Sequence, residues 1–289
     1  MQPLSAQGAS SLGTSALAPR VPRRLALDLD RCEAVLDDGA PVPLGDPRAF
    51  AAIAEAFTRS GWAARYAYGF SWCGRGVVQL PEDLVRLQEA VYALKPDVLV
   101  ETGVAHGGSL LFYASLFAAM GHGRVVGVEI QLAPQTRIAL ETHPLASLLT
   151  LVEGSSTDPA VVARVQSLVA PGEHVFLVLD SAHTRDHVRS ELEAYAGLIA
   201  PGGYIAVADG VMRDLVGLPR SEPGWATDNP AGAVDDFLAA HPEFERGAPD
   251  RPYDESGLPE IVTYFRSGWL RRVAQAGEPT AEPSGADLR

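Results

Sequence analysis

The stretch KPDVLVETGVAHGGS, Lys95 to Ser109, reads as a short buried strand, Asp97–Thr102, that runs into a glycine-rich turn and then a helix from Gly107 to Met120. Its apolar run lacks polar alternation, as a strand does in a parallel sheet covered on both faces. The same unit recurs downstream. Strands are expected at Arg124–Ile130, Leu148–Gly154, His174–Asp180 and Tyr204–Gly210. Helices are expected between them at Pro134–His143, Asp158–Val169 and Arg185–Ile199. Repeated β/α units with spacers of this length call for right-handed crossovers and predict a doubly wound α/β fold with a mostly parallel, Rossmann-like sheet.

Outward from this core the punctuation loosens. The Pro/Gly-rich segment Leu215–Asn229 leads to a helix at Pro230–His241, and the apolar run Ile261–Phe265 reads as a late strand added to the sheet. Upstream, Asp46-Pro47 opens a helix to about Arg59. The aromatic stretch GWAARYAYGFSWCGRG, Gly61–Gly76, has no clean period and reads as a loop or lid. Pro81 starts a helix with Leu84, Leu87, Val91 and Leu94 on one face. The expected division is a flexible tail at 1–24, a helical and lid segment at 25–96, a cofactor-binding domain at 97–274 and a second tail at 275–289.

Acidic residues outnumber basic ones, 36 against 23, for a net charge of −13. A field of that sign repels phosphate backbones and anionic membranes, so nucleic acid is not an expected partner. Cys32 and Cys73 form no CxxC pair, which argues against a structural zinc site and fits a reducing compartment. Arg20, Arg23 and Arg24 follow the weakly apolar start instead of preceding it, the wrong order for a secretory signal. The longest apolar run, Leu110–Met120, is broken by Ser115 and too short to span a bilayer. A soluble, cytoplasmic protein is expected. Exposed aromatics are compatible with a homo-oligomer.

In open α/β sheets ligands bind beyond the carboxyl ends of the strands. There the first strand ends in ETGVAHGGS, Glu101–Ser109. Gly103 and Gly107 let the backbone turn and approach a ligand, and the N–H groups of Ala105 and its neighbours can face an anion. The spacing G-x-x-x-G-G is a poor match to the dinucleotide fingerprint, which disfavours an NAD-dependent oxidoreductase. An acid ahead of the first glycine, Glu101, suits a cofactor bearing an amino acid. Glu129, at the end of the second strand, is placed to accept ribose hydroxyls. Ser155 and Ser156 either contact a purine or cap the next helix. Asp180 closes the fourth strand with His183 three residues later, either as site residues or as a helix cap and a surface histidine. His106 is placed to face cofactor or substrate, Asp228 and Asn229 to reach the rim, and His187 reads as a bystander.

Five stretches carry a resemblance: VVQLPEDLVRLQE (from Val77), KPDVLVETGVAHGGSLLFYAS (from Lys95), EGSSTDP (from Glu153), VLDSAHTRDHVRSELEAYAGLIAPGGY (from Val178) and AHPEFE (from Ala240). From about Trp72 to Val273 the chain resembles the cephalosporin hydroxylase/rhamnosyl O-methyltransferase family of class I S-adenosylmethionine (SAM)-dependent methyltransferases. The resemblance implies SAM at the Glu101–Ser109 loop and Glu129. It also implies a magnesium site built from Asp180 and an acidic pair of which Asp209 is one member, with His183 as general base. The other member is absent, because position 208 is alanine. The expected activity is O-methylation of a sugar hydroxyl on a small glycosylated natural product, as in antibiotic biosynthesis. The alternatives are N-methylation of a sugar-linked or cyclic amine, which needs less base assistance, and a SAM-binding accessory protein that transfers nothing.

Overall fold

A computed structural model describes residues 22–251, 253–258 and 262–274. The tails expected at 1–24 and 275–289 lie outside the described residues, apart from 22–24. The chain divides into two compact units, residues 1–55 and 56–289, with the boundary inside a helix. In the first unit β1 (Leu25–Asp28), β2 (Glu33–Leu36) and β3 (Val42–Pro43) pair antiparallel in sequence order. The helix α1 (Pro47–Ala64) then begins behind Asp46, whose carboxylate accepts the Arg48 N–H at 2.8 Å. It runs five residues past its expected end.

After the end of α1 the second unit continues with a 3-10 turn, Tyr66–Gly69, and a tight hairpin of β4 (Phe70–Trp72) and β5 (Arg75–Val77). Then follow α2 (Pro81–Leu94), β6 (Val98–Thr102), α3 (Gly108–Met120), β7 (Arg124–Glu129), α4 (Pro134–Glu141), β8 (Leu149–Glu153), α5 (Pro159–Ser167), β9 (Val175–Leu179), α6 (Arg185–Tyr195), β10 (Tyr204–Val207), α7 (Pro230–Ala240), β11 (Phe244–Arg246) and β12 (Trp269–Arg272). The main sheet has the order β11-β12-β10-β9-β6-β7-β8. The strands from β10 to β8 are parallel, and β12 is antiparallel to both its neighbours. This is the doubly wound, mostly parallel sheet expected. Alternate strand residues feed two separate cores. Leu99 joins Leu87, Leu111 and Phe112 on one face, and Val98 and Val100 join Leu192, Tyr195 and Phe237 on the other.

Two expectations are corrected. The added strand is Trp269–Arg272, not Ile261–Phe265. Ile261 lies outside the described residues. At 263 and 264, the Thr263 hydroxyl and the Tyr264 N–H donate to the buried Asp83 carboxylate instead of a neighbouring strand. The stretch Gly61–Gly76 is folded, not irregular. Its hairpin turns through Cys73 and Gly74, both at positive φ (47° and 82°), the signature of a two-residue type I′ turn. The hairpin is tied down on α3: Trp72 Nε1 donates to Ser115 Oγ at 3.1 Å, and a Cβ on Gly108 would stand 2.2 Å from the Gly76 carbonyl oxygen. No helix among the described residues is long and apolar enough to cross a membrane.

Candidate active site

The β6–α3 turn is wedged between neighbouring strand ends. Gly103 has φ +89°, and a Cβ there would lie 2.0 Å from the Asp180 carbonyl oxygen, so only glycine fits. Its N–H donates to Val128 O at 2.8 Å. The Glu129 carboxylate then accepts the N–H groups of Val104 and Ala105 at 2.9 and 3.0 Å and fastens the turn to the end of β7. Arg75 fastens it from the hairpin, donating to His106 O at 2.8 Å and Thr136 Oγ1 at 3.0 Å.

Two cavities meet over this turn and share Gly103, Ala105, Asp180 and Ser181. One, of about 260 Å³, adds Glu129, Ser155, Ser156 and His187. The other, of about 290 Å³, adds Gln79, His106, Ser109, His183, Asp209 and the rings of Tyr68 and Tyr264. A third cavity, about 280 Å³, opens at the opposite strand ends against Lys95 and His174 and has no carboxylate in its wall.

Asp180, His183 and Asp209 each bring one nitrogen or oxygen atom to within 4.8 Å of the others. His183 Nε2 lies 3.1 Å from Asp209 Oδ2, and Gln79 Nε2 donates to Asp180 Oδ2 at 3.2 Å. Burial pushes the Asp180 carboxyl up to about 7; the Asp209 charge adds to this, while His183 and Gln79 oppose it. Asp209 sits at φ +56°, a left-handed conformation uncommon for residues other than glycine. Such a cluster can take a proton near neutrality or hold a hard cation. Ala208, buried beside it, supplies neither.

Glu101 and Gly107 line neither cavity. Strand alternation puts Glu101 on the Leu99 face, beneath α3, where it is fully buried and accepts the Ser109 hydroxyl at 2.7 Å. Burial, with Asp180 nearby, holds its carboxyl well above the usual carboxylate range. Gly107 lies against the Leu140 side chain.

The capping alternatives resolve locally. Asp158 caps α5 through Ala160 N–H, and Thr184 caps α6 through His187 N–H. Ser155, Ser156 and Asp180 are therefore not caps and face the cavities. Asn229 caps α7, and Asp228 accepts the Arg185 N–H at 2.6 Å.

Two cavity residues differ from the sequence reading, His187, read as a bystander, and Gln79, not singled out. His187 Nε2 lies 3.2 Å from Ser156 Oγ, 3.1 Å from Ser181 Oγ and 3.4 Å from Glu191 Oε1. The hydrogen bond to the fully buried Glu191 raises its pKa. The i,i+4 spacing of His187 and Glu191 on α6 was the available signal. Gln79, a lone glutamine before α2, gave none.

A profile of the family described as Rhamnosyl O-methyltransferase/CmcI matches residues 64–273. The chain is 32% identical over 146 residues to a rhamnosyl O-methyltransferase of Mycobacterium bovis, a match covering 49% of this chain and 57% of that one. With the rhamnosyl O-methyltransferase of Mycobacterium leprae it shares 29% over 157 residues, 53% and 66% of the two chains. The chain thus spans less than two thirds of these curated relatives. Among solved structures, CmcI with Mg and SAM aligns over 72% of this chain and 78% of its own at 19% identity and a TM-score of 0.48. MycE in complex with Mg, SAH (S-adenosylhomocysteine) and mycinamycin VI aligns over 64% and 48% at 18% identity and a TM-score of 0.41.

Proposed function

The chain belongs to the rhamnosyl O-methyltransferase/CmcI family, and we propose that it methylates a sugar hydroxyl of a small glycosylated metabolite with SAM as donor. The observation that carries this reading is the pair of cavities meeting at Gly103, Ala105, Asp180 and Ser181, with the Asp180–His183–Asp209 cluster on one side only. One cavity suits a cofactor and the other an acceptor, with the transferred group passing between them.

The residues fit SAM. A Cβ at Gly103 would invade the shared floor. Glu129, Ser155, Ser156 and His187 give the smaller cavity the polar edge that a ribose and a purine need. Bound SAM supplies a methyl group on a sulfonium, activated for in-line displacement.

The remaining work falls to the acceptor side. A sugar hydroxyl has a pKa far above 7 and must lose its proton as the bond forms. His183 takes that proton on the ring nitrogen turned away from Asp209, and the Asp209 carboxylate, 3.1 Å from Nε2, stabilises the imidazolium. Tyr68 and Tyr264 line this cavity and give the sugar and whatever it is attached to aromatic surface to pack against. The hairpin bound to α3 closes the turn from above and keeps water from competing with the acceptor. Asp180 and Asp209 would hold a magnesium ion, which would orient and acidify the hydroxyl.

An amine acceptor is the second reading. It is favoured by Ala208, since a near-neutral amine needs less acidification than a hydroxyl.

The test is calorimetric titration of the protein with SAH, with NAD⁺ as control, followed by SAM turnover on rhamnosides and aminosugar glycosides. Saturable SAH binding is expected. His183→Ala should keep that affinity and lose about 10²–10⁴-fold in turnover, the usual worth of a general base. No SAH binding by folded protein, or a fully active His183→Ala, refutes the assignment. Turnover of aminosugars alone selects the second reading.

A further inference from the structure

The acceptor cavity holds polar atoms that proton transfer does not use. Gln79 is 5% exposed, and while its Nε2 donates to Asp180 Oδ2 at 3.2 Å, its carbonyl Oε1 is buried without a partner. Tyr113, fully buried on α3, has its hydroxyl against Gln79 and likewise without a geometrically sound partner. Unmet buried polar atoms are unfavourable, and two in contact call for a shared explanation.

A half-turn of the Gln79 amide supplies one, because its oxygen and nitrogen occupy nearly the same places. Turned over, Oε1 leaves the place where it has no partner and stands where Nε2 is now, beside Asp180 Oδ2 and toward the Tyr113 hydroxyl. With Asp180 ionised, two oxygens at that separation repel unless a cation lies between them. Magnesium binds oxygen at about 2.1 Å with octahedral geometry, which sets neighbouring ligands about 3.0 Å apart, close to the 3.2 Å found here.

We propose that Gln79 is a ligand of a divalent cation held by Asp180 and Asp209, its amide oxygen replacing the carboxylate that position 208 does not supply. The inference rests on the methyl-transfer reading only in taking the acidic pair as a cation site. Amide carbonyls are ordinary ligands for hard cations but carry no net charge. The site therefore keeps its ligand number and gives up electrostatic affinity. On cation binding the amide turns over and Oε1 faces both the cation and the Tyr113 hydroxyl, which donates to it, so that both stranded atoms gain partners.

The experiment is Mn²⁺ titration of the SAH-loaded protein, followed by the electron paramagnetic resonance of free Mn²⁺, for the wild type, Gln79→Met and Gln79→Glu. Gln79→Met is expected to weaken Mn²⁺ binding about tenfold and Gln79→Glu to tighten it several-fold, with SAH affinity unchanged in both. An unaltered Mn²⁺ affinity in Gln79→Met overturns the proposal. So does an affinity in Gln79→Glu at or below that of the wild type, which decides the matter if Gln79→Met does not fold. Wild type that binds SAH but no Mn²⁺ overturns the cation site and leaves the cofactor reading standing; failure to bind SAH strikes at that reading itself.

Discussion

Replacing Gly103 by alanine tests whether the cofactor turn is as tightly wedged as its geometry says. Two penalties act together at this position. At φ +89° a Cβ is strained by about 1–2 kcal/mol. It would also stand 2.0 Å from Asp180 O, 2.6 Å from Asp180 C and 2.9 Å from Ser181 Cα, all of them backbone atoms that cannot rotate away. Forcing extra volume into a packed site costs about 1–3 kcal/mol more. Gly121, which ends α3 at φ +66° with nothing within 4 Å of its would-be Cβ, carries the strain without the collision. Urea unfolding should therefore find Gly121→Ala less stable by about 1–2 kcal/mol and Gly103→Ala by about 2–5 kcal/mol. Calorimetry on whatever fraction of Gly103→Ala remains folded should show SAH affinity lost, because the β9 end must move to admit the methyl group. Equal losses from the two substitutions would refute the wedge and, with it, the shared floor of the two cavities.

Two other expectations follow from named contacts. Asp180 holds its proton up to about pH 7 in the folded chain, against an ordinary aspartate value of 3.8. The folded pKa lies above the unfolded one, so stability declines as pH rises from about 4 to about 7 and the deficit is complete above that. At 1.36 kcal/mol per unit, Asp180→Asn should stabilise the apo protein at pH 8 by something on the order of 2–4 kcal/mol and by nothing at pH 4; denaturant titrations at the two pH values check this, and no gain at pH 8 counts against it. Arg75→Ala removes the bonds to His106 O and Thr136 Oγ1 and should cost about 2 kcal/mol. It should also speed hydrogen exchange across Phe70–Val77, which would stay slow if Trp72 alone held the hairpin.

What could be read in the sequence divides along physical lines. The five parallel strands were legible because each is a continuous apolar run that no exposed segment would carry. The glycine turn was legible because close backbone approach leaves glycine little substitute. Strand β12 was not: Trp269–Arg272 has two arginines, and Ile261–Phe265 is the more strand-like run. Only the bonds from Thr263 and Tyr264 to Asp83, 180 and 181 residues away in the chain, take that run out of the sheet. The hairpin escaped because Cys73-Gly74 is an unusual pair for its turn. In the site, Asp180, His183 and Asp209 came together; Asp180 was legible from its strand end, and Asp209 only through the family resemblance. Glu101 was placed correctly along the strand, but its facing was not considered, and alternation turns it beneath α3. Gln79 belongs to no motif, and its relation to Asp180 exists only in three dimensions.

The sheet order has a consequence for how the chain is assembled. Strand β11 is bonded to β12 alone, and β12 lies between it and β10. As the polypeptide is synthesised, β11 emerges first and has no sheet to join until Trp269–Arg272 has followed it. During that interval β10 is a bare, apolar edge, the kind of surface that pairs with other chains. The part of the molecule that carries the Asp180–His183–Asp209 cluster thus depends for its solubility on the strand made last among those described, and a ribosome that stalls before Trp269 would release an aggregation-prone intermediate.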